Sequence, residues 1–246
     1  MTPERRTDVG ERIWDKYLTE QDKAYLGGKE VPPIGFGQRP ALLYIDLYSW
    51  VFGDRPEPLV EAIKRWPASC GLAGWEALPH LKRLLAAARQ AEIPIIHVTG
   101  DESATIRWQT KASYRDRSKS SQPHPLQIVA DLAPQEGEVF VRKAAPSAFW
   151  GTPLMSQLIR LGVDTLIVGG ESTSGCVRAS VVDGSSALLR MMVVEECVFD
   201  RQEAPHAMSL FDMNQKYADV VSVDDTIDYL TSSTNPSERS PAAIGA

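Results

Sequence analysis

The chain has 246 residues and is 43% hydrophobic, enough to bury a full-sized core as one α/β domain. Its formal charge of -6 comes without a basic stripe, which argues against a nucleic-acid partner, because neutralising phosphates takes clustered Lys and Arg. No apolar run approaches a membrane span and no signal-peptide core follows the early arginines, so a soluble, cytoplasmic protein with no membrane partner is expected.

Residues 1–38 mix charges with Trp14 and Tyr17 and end in VPPIGFGQRP, whose prolines and glycines punctuate the chain, so they read as an arm entering the domain. ALLYID, 41–46, is a short apolar run of the kind buried on both faces of a sheet, and it ends at Asp46. Leu78, Leu81, Leu84 and Leu85 place a helix over 72–90, and IPIIHVTG, 93–100, follows as a second strand. Residues 101–138 are polar and predict a long loop over one end of the sheet. The pattern then repeats: strand 138–143, helix 152–162 with Thr152 as N-cap, strand 164–170, helix 175–190, strand 191–197, helix 206–217 and strand 219–223. The tail, 231–246, is rich in Ser, Pro and Ala and reads as disordered. Alternation of this kind predicts an α/β three-layer sandwich over 39–230, with about six mostly parallel strands and helices on both faces.

In such sheets ligands sit at the carboxyl ends of the strands. Asp46, Lys143 and the GESTSGC segment each follow a predicted strand at that end, so three reactive groups converge on one crevice. Cys70, Cys176 and Cys197 are too few and too widely spaced for a disulfide framework or a paired CxxC zinc site, and Cys197, closing an apolar run, reads as an inert core thiol. Cys176 lies just inside a predicted helix start, where free N–H groups and a nearby lysine favour thiolate, while a carboxylate accepts the thiol proton. Gly169, Gly170 and Gly175 permit a tight turn that aims backbone N–H groups at an oxyanion. A Cys-His pair is the competing arrangement. His80 falls in a helix and His97 in a buried strand, which leaves His124 and His206 as its sources.

Four segments carry a family resemblance: RPALLYIDLYSWVFGD (39–54), FVRKAAPSAFWGTPL (140–154), GVDTLIVGGESTSGCVRASVVD (162–183) and CVFDRQEAPHAMSLFDMNQKYADVV (197–221). Through them the chain resembles the isochorismatase-like cysteine hydrolases, most closely the group of N-carbamoylsarcosine amidase and maleamate amidase. The resemblance implies a hydrolase of carbon–nitrogen bonds in small linear amides, with Asp46 as general base, Lys143 as supporting cation and Cys176 as nucleophile. It also implies a cis peptide between Glu171 and Ser172, so that the N–H groups of Ser172 and Cys176 form an oxyanion hole. No cofactor is implied. The Asp-x-His metal motif of the family's nicotinamidases is replaced here by HVTGDES, so no metal is expected, and isochorismate hydrolases lack the cysteine this chain has.

Substrates of the related amidases carry a carboxylate, which makes Arg201 the first choice for an anchor and Arg107, Arg115 and Arg117 its rivals. Phe149, Trp150 and Trp108 are the expected apolar wall. The Tyr-Ala-Ser-Ala-Phe-Phe pattern usual after the group's lysine is here Ala144, Ala145, Pro146, Ser147, Ala148, Phe149 and Trp150, and loop 101–130 also departs from the group. Both departures fall where substrate is held. By analogy with the family a homodimer or homotetramer is expected, with the arm exchanged between subunits. A ligand-binding or scaffold member of the fold without turnover is the alternative of another class, and the intact Asp46, Lys143 and Cys176 set speaks against it.

Overall fold

The computed structural model describes residues 12–27, 32–101 and 126–232. Trp108, Tyr114, Arg107, Arg115, Arg117, His124 and nearly all of the tail lie outside them. Six strands, β1 (Pro40–Ile45), β2 (Ile95–Gly100), β3 (Val139–Lys143), β4 (Thr165–Glu171), β5 (Arg190–Phe199) and β6 (Asp219–Val221), form one sheet in the order β3-β2-β1-β4-β5-β6. Every pairing is parallel. The helices are α1 (Glu20–Leu26), α2 (Ser49–Phe52), α3 (Leu59–Ala62), α4 (Leu72–Gln90), α5 (Leu154–Leu161), α6 (Arg178–Ser186), α7 (Glu203–Lys216) and α8 (Val223–Ser232).

Strand periodicity sorts β1 into two cores. Leu42 and Tyr44 face the layer built by Leu81, Leu84 and Leu85 of α4 and Leu230 of α8. Leu43 and Ile45 face the opposite layer, where Leu154 and Leu158 of α5, Val181 of α6 and Leu210 of α7 are buried. The sheet is therefore covered on both faces, which is why its strands read as continuous apolar runs.

Three boundaries differ from expectation. The helix predicted over 175–190 opens with a wide π-type turn, Thr173–Val177, that runs straight into α6, and it ends early, because β5 already begins at Arg190. Between them Leu188 adopts φ 64, a left-handed conformation that no helix continues through. Strand β6 stops at Val221 because Ser222 caps α8: its hydroxyl accepts from the Asp225 N–H at 3.0 Å and donates to the Asp225 carboxylate at 2.7 Å. Helix α5 starts at Leu154, although the Thr152 hydroxyl does accept from the Leu154 N–H at 3.2 Å. Within the arm, Trp14 is buried on this chain's own second core layer beside Phe211, and Arg12 bonds Glu195 at 2.5 Å.

Below the sheet's other end, buried His97 shares Glu138 with Arg89: Nε2 lies 2.8 Å from one carboxylate oxygen, and Arg89 Nε donates to the other at 2.8 Å. Burial pushes the Glu138 carboxyl up, but bonds from Arg89, the Gln135 N–H and His97 outweigh it and bring it down to about 2. A carboxyl whose native pKa is depressed stabilises the fold above its unfolded value and loses that contribution as pH falls toward the native one. Denaturant titrations of Glu138→Gln and wild type are thus expected to differ most above pH ~4.5 and to converge toward pH ~2. A gap independent of pH is the contrary result.

Candidate active site

The carboxyl ends of β1, β3 and β4 open into a cavity of about 790 Å³ lined by Asp46, Lys143 and Cys176. Asp46 directly follows β1 at φ 57, a left-handed conformation Asp tolerates, and its N–H donates to the Val98 carbonyl at 2.9 Å. Lys143 ends β3, two strands away. Its register partner at the end of β2 is Gly100. The ammonium lies 2.7 Å from Asp46 Oδ2 and donates to Cys176 Sγ at 3.2 Å and to the Ala145 carbonyl at 3.3 Å. All three ammonium protons therefore have acceptors.

Cys176 lies in a wide first turn that runs straight into α6, near a helix start as expected. The Glu171–Ser172 peptide is cis, and the Ser172 carbonyl accepts from the N–H groups of Gly175 at 2.9 Å and Val177 at 3.1 Å. A side chain at Gly175 would collide with Ser172 Oγ, since a Cβ there falls 2.4 Å from it. The turn is tied down from outside: Ser174 donates twice to Asp200 Oδ2, at 2.8 Å from its N–H and 2.6 Å from its hydroxyl, and Ser180 Oγ donates to the Cys176 carbonyl at 2.7 Å.

Burial pushes the Cys176 thiol up, Lys143 pulls it down, and Asp46 and Glu171 push it up again, leaving it at about 12. Beside this sulfur, Asp46 has a buried oxygen, Oδ1, without a hydrogen-bond partner among the described residues. Burial lowers the Lys143 ammonium, but Asp46 and Cys176 outweigh it and raise it, so it stays charged. Such a set suits proton transfer to Asp46 at the moment of attack.

The described histidines do not join this group. His97 is paired with Glu138, His206 Nδ1 lies 2.8 Å from the Thr173 hydroxyl, and His80 is in α4; none of the three lines the cavity. Among the described residues no three His, Cys, Asp or Glu side chains are arranged to hold a metal, and no helix is long and apolar enough to cross a membrane. Cys197 is buried within β5. Cys70 is also buried, its Sγ 3.7 Å from Glu171 Oε1.

The expected wall needs correction. Phe149 packs in the helix layer near Gly184 of α6, and Trp150 points outward with 67% exposure, so neither lines the cavity. The cause is the Ala148 N–H, which donates to Ser180 Oγ at 2.9 Å and turns the segment toward α6. Trp108 is outside the described residues. Tyr48 and Trp50 line the cavity instead. Their signal was an aromatic pair two and four residues after Asp46.

Arg201 does border the cavity, but not as a free fork. Its Nη1 meets Glu171 Oε1 at 2.5 Å, its Nη2 donates to the Ala68 carbonyl, and the two side chains are only 12% and 6% exposed. Burial would lower the guanidinium, and Glu171 more than restores it, while burial keeps the Glu171 carboxyl raised despite Arg201. The sequence named both residues without showing that they neutralise one another.

The Isochorismatase domain model matches residues 41–225. The chain is 36% identical over 208 residues to maleamate amidohydrolase of Pseudomonas putida, covering 80% of this chain and 89% of that one. It is 32% identical over 208 residues to N-carbamoylsarcosine amidase of an Arthrobacter species, covering 80% and 73%. Among solved structures, a cysteine hydrolase from Pseudomonas syringae superposes with TM-score 0.71 at 19% identity, over 83% of this chain and 100% of that one, which bears on the fold alone. The chain belongs to the isochorismatase family. It is a hydrolase of the amidohydrolase kind, acting on carbon–nitrogen bonds other than peptide bonds.

Proposed function

We propose that the chain hydrolyses a small amide or N-carbamoyl compound through a covalent intermediate on Cys176, releasing ammonia. The carrying observation is Lys143, whose ammonium touches both Asp46 (2.7 Å) and Cys176 (3.2 Å) inside one cavity. Asp46 takes the thiol proton as Sγ attacks the carbonyl carbon, and the N–H groups of Ser172 and Cys176 stabilise the oxyanion. Asp46 returns that proton to the departing nitrogen, the C–N bond breaks, and ammonia leaves an acyl-thioester or thiocarbamate. Water, deprotonated by Asp46, then attacks the same carbon, and the C–S bond breaks to restore the thiol. Lys143 holds the carboxylate in place and offsets charge on sulfur throughout.

The test is ammonia release from N-carbamoyl amino acids, maleamate, ureas and simple amides. Wild type is expected to exceed Cys176→Ala by about a thousand-fold or more on at least one of them, with an acyl adduct on Cys176 by intact mass. Equal background rates across the panel would end the proposal in favour of a ligand-binding role.

A further inference from the structure

We infer that His206 is a positioning residue for the cysteine chemistry: its bond to Thr173 sets the height of the turn that carries the Cys176 sulfur beside Asp46 and Lys143. This role rests on the hydrolase function proposed above. Thr173 opens that turn, next to Ser172 and three residues before Cys176. Its side chain is fully buried, and the one hydrogen bond of its hydroxyl among the described residues is to His206 Nδ1, at 2.8 Å. A buried hydroxyl has no water to replace a lost partner. The other tie from the same stretch, Ser174 on Asp200, is exposed, so water competes for both groups. His206 is therefore the stronger of the two ties.

His206 can hold a position because its own helix is fixed. It stands in the first turn of α7, its N–H donating to the Gln202 carbonyl at 3.2 Å, and the next residue, Ala207, is buried with Leu210 and Met213 in the second core layer. Burial keeps the imidazole below its ordinary value although Asp200 draws it up, so the ring is neutral at neutral pH. In that form Nδ1 accepts from the hydroxyl or donates to it, and the bond survives in either tautomer. Buried Val177, and Ser180 on the Cys176 carbonyl, fix the exit of the turn, while His206 fixes its entry. The sulfur is 3.2 Å from Lys143 Nζ, an approach that a turn released from α7 loses. It also misses the carbonyl carbon, and a misplacement of about 1 Å can cost about a hundred-fold in rate.

Turnover and alkylation test this separately. On an amide that the wild-type protein hydrolyses, His206→Ala and Thr173→Val are each expected to lower kcat about ten-fold or more with KM within about three-fold, and the double variant no further than either alone. Asparagine places a polar atom where Nδ1 stands and glutamine one where Nε2 stands, so His206→Asn is expected to recover most of kcat and His206→Gln little of it. Iodoacetamide, with its label located on Cys176 by peptide mass, needs no substrate. Both single variants are expected to react at least about five-fold more slowly at pH ~8, because a sulfur farther from Lys143 titrates higher. Unchanged or faster alkylation, additive losses in the double variant, or equal rescue by His206→Gln and His206→Asn overturns the inference. If wild type releases no ammonia from any compound, the hydrolase falls and alkylation alone decides on His206. If both single variants keep the wild-type kcat, the positioning role falls and the hydrolase stands.

Discussion

Asp46→Asn is expected to lower ammonia release by at least about a thousand-fold while making Cys176 easier to alkylate. Burial raises the Cys176 thiol, so the proposed turnover calls on a base that acts during attack. In that proposal the base is Asp46, whose charge is one of the influences that push the thiol up, while Lys143 pulls it down. Asparagine removes the first influence and leaves the ammonium without its carboxylate. The thiol must then titrate at lower pH, and iodoacetamide at fixed pH must react faster. Lys143→Met has the opposite sign on sulfur: the thiol is pushed further up, alkylation slows, and turnover falls as well. Retained turnover in Asp46→Asn, or slower alkylation, contradicts the assignment of Asp46 as base.

The second large effect belongs to the backbone. Gly170 adopts φ +134, and a Cβ there would fall 2.1 Å from the carbonyl oxygen and 2.8 Å from the nitrogen of Ile45, the residue before Asp46. Neither atom belongs to a side chain that can rotate away. Gly170→Ala is therefore expected to cost about 3 kcal/mol or more and to separate the ends of β1 and β4, taking activity with it. Gly35, at φ +70 with nothing within 4 Å of its Cβ, is the control for backbone conformation alone, and Gly35→Ala is expected to cost about 1 kcal/mol. Denaturant midpoints that place the two variants together would show that the close approach to Ile45 is not tight.

The sheet was legible because its strands are short apolar runs covered on both faces, and the reactive residues stand at or shortly after their carboxyl ends. Asp46, Lys143 and Cys176 therefore met as their strand positions implied. What escaped depended on contacts between residues remote in sequence. The pairing of Arg201 with Glu171 joins residues 30 positions apart that nothing in the sequence connects. One bond from Ala148 to Ser180 sent Phe149 and Trp150 away from the cavity. Helix α8 was hidden for a local reason: SVDDTI holds a capping pattern, but its valine, Val223, extends the preceding strand by eye. The helix start and the lysine beside Cys176 are visible in sequence, whereas the burial that pushes its thiol up is not.

The position of Lys143 couples the site to the rim of the sheet. Strand β3 is the outer strand, bonded to β2 alone, and its last residue supplies the cation that reaches Asp46 and Cys176. Outer strands open at lower free energy than central ones. Each time β3 frays, the carboxylate and the thiol lose their shared ammonium while β1 and β4 remain paired at the centre. Catalytic competence and global folding therefore have separate thresholds, with warming or mild denaturant silencing the enzyme before its core comes apart.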